Sequence, residues 1–143
     1  MAIIQLSIFL ENRLGRLQDI VSILGENDIN IRALSLADRS EYGILRLIVN
    51  NMEKALQILK KENFSVNKTP VIAIEVMDKP GGLAEILNIL VGKNLNIEYM
   101  YAFVEKSQDK AIVVFKMAKA EEAGKILQAE NIRILNEEDI KNI

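Results

Sequence analysis

Cysteine, histidine and tryptophan are absent from the 143 residues, and proline occurs only twice. Without cysteine there is no disulfide, no thiolate nucleophile and no zinc site built on sulfur. Without histidine there is neither a Ser-His-Asp triad nor an imidazole base. An excess of one charge is also lacking. The 18 Lys and Arg against 20 Asp and Glu leave a net charge of −2, so the basic surface of a nucleic-acid binder is not expected. No apolar run approaches the roughly 20 residues of a membrane-spanning helix. Residues Met1 to Leu10 carry no basic stretch, and Gln5 and Ser7 interrupt their apolar residues, which is unlike a secretory leader. The expectation is a cytoplasmic protein with no cofactor or metal, contacting neither nucleic acid nor membrane. What the chain does have is a composition that is half hydrophobic and 27% charged, enough apolar surface to bury a core.

The chain is one unit written twice. At an offset of 66 residues, Ile8, Gly15, Leu17, Ile20, Ile23, Leu24, Asn30 and Ile31 meet identical residues from Ile74 to Ile97. The offset then drifts through loops, so that Leu45 and Leu47 meet Ile112 and Val114, and Ala55, Ile58, Leu59 and Asn63 meet Ala123, Ile126, Leu127 and Asn131. Small drifts between conserved segments are what loops in a duplicated unit tolerate. Pro70, with no N–H, is expected to break the run from Phe64 to Val76. Two domains follow, 1–69 and 70–143. Units of about 70 residues bury a smaller fraction of their surface than larger domains do and are expected to pack together.

Each unit reads as strand, helix, strand, strand, helix, strand. Ile4, Leu6, Ile8 and Leu10 alternate with Gln5, Ser7 and Phe9, and Ile72, Ile74 and Val76 repeat that period. Leu17, Ile20, Val21 and Leu24 form a helical stripe that Leu83, Ile86, Leu87 and Leu90 match. Hairpins are expected over Ile31–Asp38 with Tyr42–Val49, and over Ile97–Glu105 with Lys110–Met117. Their loops would fall near Arg39–Glu41 and Lys106–Asp109. Second helices near Met52–Glu62 and Glu121–Glu130 lead to short strands at Phe64–Lys68 and Ile132–Leu135, and 136–139 invites one more helical turn. A βαββαβ order with right-handed crossovers gives an α+β, ferredoxin-like unit, an antiparallel four-stranded sheet with both helices on one face. In the first repeat the other face is expected to carry Ile3, Phe9, Leu34 and Leu36, too apolar to leave wet, so association through sheets or edges is expected.

Candidate binding residues cluster in two places. The first is the turn from first strand to first helix, Asn12-Arg13-Leu14-Gly15-Arg16-Leu17 and Asp78-Lys79-Pro80-Gly81-Gly82-Leu83. Glycine permits a sharp turn and close approach of a ligand, and the helix that follows begins with unpaired amides that favour an anion. A carboxylate fits there, and the Asn12 oxygen or the Asp78 carboxylate can accept from an ammonium group. Carboxylate plus ammonium is the common part of every α-amino acid. The second place is the helix exit, Asn27-Asp28-Ile29-Asn30-Ile31 and Lys93-Asn94-Leu95-Asn96-Ile97. Asn30 also suits a purely structural role, because asparagine tolerates the left-handed backbone that ends helices.

These paired motifs, D-K-P-G-G-L-A-E-I-L, N-R-L-G-R-L-Q-D-I-V and the N-I exits, resemble the ACT domain family, small ligand-binding modules attached to enzymes of amino-acid metabolism. The resemblance covers nearly the whole chain as two tandem units. It implies a free amino acid held at an interface between ACT units by Asn12, Leu14, Gly15, Asn30 and Ile31, and by Asp78, Pro80, Gly81, Asn96 and Ile97. Leu14 stands where the family usually has proline, so the second repeat is expected to hold the better site. The implied protein is no enzyme but a homodimeric sensor acting on an enzyme of amino-acid metabolism. The alternative is an interaction module of the acetolactate-synthase regulatory type with no ligand of its own. Tyr99, Tyr101 and Phe103 alternate where the first repeat has Ala33, Ser35 and Ala37, a stripe suited to core or interface. RNA-recognition modules of this shape need basic charge and an aromatic strand motif, and metal chaperones need a cysteine pair, so both fail.

Overall fold

The computed structural model describes residues 2–39, 41–105 and 109–143. The expected hairpin loops at Arg39–Glu41 and Lys106–Asp109 therefore fall partly outside the described residues. The elements run β1 (Ile3–Glu11), α1 (Arg16–Glu26), β2 (Ile31–Arg39), β3 (Tyr42–Val49), α2 (Met52–Lys61), β4 (Ser65–Met77), α3 (Gly82–Gly92), β5 (Tyr99–Ala102), β6 (Lys110–Lys116), α4 (Ala120–Ala129), β7 (Ile134–Leu135) and α5 (Glu137–Lys141). Two compact units result. One comprises Ile4–Thr69 with Ile140–Ile143, the other the residues up to Ile3 with Pro70–Asp139. The short ends are thus exchanged relative to the repeats. Arg32 Nη2 donates to the Lys141 carbonyl at 3.3 Å, and the Ala2 amide donates to Glu121 Oε1 at 2.9 Å.

In the first unit the strand order is β2-β3-β1-β4, and in the second β5-β6-β4 with β7 on the other edge of β4. Both are the order a split βαβ unit gives. The β1–β3 and β2–β3 pairs are antiparallel, as are β4–β6, β4–β7 and β5–β6. In the first unit Leu6, Ile8, Leu10, Leu45 and Leu47 of the sheet meet Ile20 and Leu24 of α1 and Leu56 and Leu59 of α2. In the second, Ile72, Ile74, Val113 and Phe115 meet Ile86, Leu90 and Leu127. Each fully buried side chain of this size contributes about 1.5–3 kcal/mol of transfer free energy.

All four longer helices end alike. The residue after the C-cap has positive φ, at Asp28 (60°), Asn63 (67°), Asn94 (59°) and Asn131 (63°). The next amide bonds back to the carbonyl of the helix's last buried leucine, as in Ile29 to Leu24, Phe64 to Leu59, Leu95 to Leu90 and Ile132 to Leu127. This is the Schellman closure, with its hydrophobic contact between the same residues. The left-handed position expected at Asn30 therefore lies two residues earlier, at Asp28. The last short helix is opened at its N-terminus by a capping box, in which the Asn136 amide donates to Asp139 Oδ2 and the Asp139 amide to Asn136 Oδ1, both at 2.9 Å.

Three expectations change. Pro70 does not break the chain into two strands, because β4 runs unbroken from Ser65 to Met77. Pro70 precedes Ile72, the first residue laddered to β6, so its missing N–H is not called on in that ladder, and its fixed φ suits extended backbone. Leu34 and Leu36 do not lie on the open face with Phe9. A bulge between Ile31 and Ala33 inserts Arg32, so Leu34 pairs with Leu47 and Leu36 with Leu45, and both point to the helix side of the sheet. One extra residue reverses the parity of everything after it. Ala33, Ser35 and Ala37 are the residues left on the open face, with Phe9 and Ile44 beside them. Finally, β5 spans four residues rather than Ile97–Glu105, its ladder thinning to the single Phe103–Ile112 contact.

Candidate functional site

The two strand-to-helix turns are built the same way. Gly15 has φ 92° and ψ −12°, and Gly81 has φ 86° and ψ −9°. Both occupy the N-cap position in a left-handed conformation that residues with a Cβ adopt at a cost. In the first turn the Arg13 amide bonds the Glu11 carbonyl at 2.8 Å, Arg16 bonds Arg13 at 3.2 Å and Asp19 bonds Gly15 at 2.9 Å. In the second, Lys79 bonds Met77, Gly82 bonds Lys79 and Glu85 bonds Gly81, each at 3.0 Å. No side chain caps α1 or α3, so Asn12 and Asp78 are not the N-caps of those helices. Their backbone amides tie the turns to the hairpin loops, Asn12 to the Glu41 carbonyl at 2.9 Å and Asp78 to the Asp109 carbonyl at 2.8 Å. Leu14 and Pro80 occupy matching exposed turn tips, Leu14 standing fully in solvent.

The repeats differ at the next residue. A Cβ on Gly82 would overlap the Met77 carbonyl, so the second turn needs glycine twice. The first turn carries Arg16 there, with its guanidinium 4.8 Å above the Phe64 ring and Nη1 3.4 Å from Asp19 Oδ2. Such a stacked cation covers the ring face it lies over.

The helix exits lie elsewhere. α1 and α3 each contain 11 residues, about 16 Å at 1.5 Å per residue, and the exits sit at their far ends. The turn and the exit of one unit therefore do not meet at one small ligand. Asn30 is exposed, and its amide and carbonyl are bonded to Asn50, through Oδ1 at 2.9 Å and N at 3.1 Å. Ile31 and Ile97 are half-buried and pack against the two cores. Asn96 is exposed and lines a cavity of 380 Å³ with Asn94, Leu95, Met117, Lys119 and Glu122.

A second cavity, of 250 Å³, opens at the first turn and is lined by Leu10, Glu11, Asn12, Arg13, Leu17, Leu36 and Gly43. Of these Asn12, Arg13 and Leu17 belong to the turn motif, and Asn12 alone is among the ligand contacts the resemblance implies. Gly43 sits on β3 directly opposite Leu10, and a Cβ there would stand 3.2 Å from the Ala37 carbonyl and 3.4 Å from Leu36 Cδ1. The bare glycine thus leaves the groove open. A lone glycine inside a strand of branched residues is the sequence signal that points to it. On the face of the second unit's sheet away from its helices, Tyr99 and Tyr101 are half-buried and Phe103 is buried.

Elsewhere the charges serve structure. Glu75 receives Arg133 Nη1, with Lys110 3.7 Å away, and Arg133 also reaches Asp139 at 3.3 Å. The hydrogen bond and charge of Glu75 hold the Arg133 guanidinium above its ordinary pKa, so it stays protonated. Among the described residues no group of acidic side chains is placed to hold a metal ion, and no helix is long and apolar enough to cross a membrane.

The sequence model of the ACT domain pair matches residues 1–143. The chain belongs to the ACT domain pair family. Protein BT0572 from Bacteroides thetaiotaomicron has this structure too, with a TM-score of 0.92 at 36% identity, over 100% of this chain and 98% of that one. The fold recurs in the regulatory subunit of aspartate kinase from Thermus thermophilus, with a TM-score of 0.63 at 14% identity over 88% of this chain and 91% of the other. The corresponding subunit from Thermus flavus gives 0.62 at 14%, over 86% of each chain. No curated protein matches the sequence. Each ACT unit here therefore combines a family fold with a glycine-lined turn, and the two turns of the pair differ in the residue after that glycine.

Proposed function

We propose that this ACT pair is a non-catalytic cytoplasmic sensor that binds a free α-amino acid at its strand-to-helix turns and modulates an enzyme of amino-acid metabolism. The observation that carries the reading is the repeated turn. Twice, a left-handed glycine delivers the uncapped start of an 11-residue helix beside a hydrogen-bonding side chain, Asn12 or Asp78. Uncapped amides favour a carboxylate, and a side-chain oxygen beside them accepts from an ammonium group. Gly15 and Gly81 let the backbone approach the carboxylate, while Leu14 and Pro80 shape the turn tips. Because turn and exit of one unit are a helix apart, Asn30, Ile31, Asn96 and Ile97 act in such a site only across an interface between ACT units. A homodimer supplies one, its contact being the exposed Leu34 on edge strand β2.

A sensor of this kind works because the ligand binds one arrangement of the units better than another. The coupling needed is typically about 1–3 kcal/mol. Family membership supports this reading, as does the fold shared with the regulatory subunit of an aspartate kinase. The test is a thermal-shift screen of the chain against the twenty amino acids, with calorimetry on every hit. A ligand that binds only the folded chain raises the melting temperature by mass action. A shift with one or a few amino acids is the expected result. No shift with any of them would leave an interaction module with no small-molecule ligand.

A further inference from the structure

We infer that the site at the first turn selects an α-amino acid with an aliphatic side chain, and that Gly43 and Leu36 set this choice. The inference rests on the proposed amino-acid reading and concerns the 250 Å³ cavity beside that turn. Its chemistry is divided. Glu11 and Arg13 stand at the exposed rim as an ion pair, 3.6 Å apart, so their charges are matched to each other and the zwitterion is left to Asn12 and the helix start. Leu10, Leu17 and Leu36 supply apolar wall, and Leu10 is buried. Leu36 is half exposed although it lies on the helix side of the sheet, so its surface faces an unfilled space rather than a packed core. The β2 bulge at Arg32 is what turns it that way. Gly43 completes the space by lacking a side chain opposite Leu10.

An aliphatic side chain entering this cavity removes apolar surface from water on both partners. A charged side chain lying against Leu10, Leu17 and Leu36 would lose its hydration, and could regain a partner only by breaking the Glu11–Arg13 pair at the rim, while glycine would leave the space unfilled. The second repeat does not reproduce the lining. Strand register matches Leu45 to Val113 and Leu47 to Phe115, one residue beyond the Ile112 and Val114 of the sequence offset, so Gly43 corresponds to Ala111, opposite Val76, and Leu36 to Ala102, opposite Val113. The two turns of the pair therefore present different side-chain pockets, and selectivity belongs to the first.

The test is calorimetry on the full chain with L-leucine, L-valine, glycine, L-lysine and L-aspartate. Leucine or valine is expected to bind at least about tenfold tighter than the other three, the scale of discrimination that methylene-sized differences give. Leu36→Gln, at a half-exposed position, is expected to weaken leucine binding about tenfold with an unchanged melting temperature. Gly43→Ala narrows the cavity and is expected to shift preference from leucine towards valine. Tightest binding by a charged amino acid or by glycine overturns the inference and leaves the sensor reading standing. So does leucine binding that neither variant changes. No binding by any of the twenty amino acids overturns both.

Discussion

The turn geometry makes a prediction whose size follows from the backbone alone. Gly81 has φ 86° and nothing within 4 Å of where a Cβ would sit. A substitution there meets no steric clash, so its whole effect is the cost of placing an L side chain in the left-handed region. That cost is about 1–2 kcal/mol for alanine, smaller for asparagine, whose short polar side chain tolerates the conformation, and larger for a β-branched residue. For a chain of this size each kcal/mol moves the melting temperature by roughly 4 °C. Gly81→Ala is therefore expected to lower Tm by roughly 4–8 °C, with Gly81→Asn nearer wild type and Gly81→Val below alanine. Gly15 has φ 92° and the same open surroundings, so Gly15→Ala should give a loss of similar size. Gly25 supplies the control. It lies inside α1, also with nothing within 4 Å and with no positive φ, so Gly25→Ala should stabilise by about 0.5–1 kcal/mol. Urea and thermal melts of the five variants decide the matter. Gly81→Ala and Gly25→Ala moving in the same direction would refute the backbone argument.

Four further outcomes follow from the same structure. Leu14 is exposed at the position where the second turn has Pro80, so Leu14→Pro should raise stability by about 0.4–1 kcal/mol in a urea melt by restricting the unfolded chain. Leu59 is fully buried at the C-terminal contact of α2, and Leu59→Ala should cost about 2–5 kcal/mol by the same measurement. Arg133 gains a hydrogen bond and an ion pair from Glu75, and Glu75→Gln should cost about 1 kcal/mol and lose part of its effect in high salt. The raised pKa of Arg133 is a folded-state gain that is fully present below its unfolded pKa and lost only as pH rises through the folded one. Melts between pH 6 and pH 9 should therefore show no contribution from the titration of Arg133, since arginine stays charged throughout that range.

Much of this fold is legible in local periodicity. The stripe from Leu17 to Leu24 and its copy from Leu83 to Leu90 specify their helices, and the 66-residue offset locates the second unit without reference to structure. Side-chain parity after Arg32 is not legible, because a one-residue bulge leaves composition and pattern intact while turning Leu34 and Leu36 to the other side. The continuity of β4 is hidden for a related reason. Pro70 reads as a break, and only the ladder shows that its missing N–H falls before the residues paired to β6. At the site, the glycine turns stand out because left-handed backbone selects glycine strongly. The cavity does not stand out, since Gly43, Leu10 and Leu36 come from three strands and meet only through register. Asn30 is conspicuous by its recurrence, yet the left-handed residue that closes its helix is Asp28.

The most direct measurement of the central claim is calorimetric titration of the amino acid that gives the largest thermal shift into the intact chain and into a doubly substituted Asn12→Ala, Asp78→Ala chain. Both positions are exposed turn residues outside the two cores, so each substitution should change stability by no more than about 0.5 kcal/mol in a urea melt. The account predicts saturable binding to the intact chain and its loss in the variant. Binding that survives both substitutions, or a chain that takes up no amino acid at all, would contradict it.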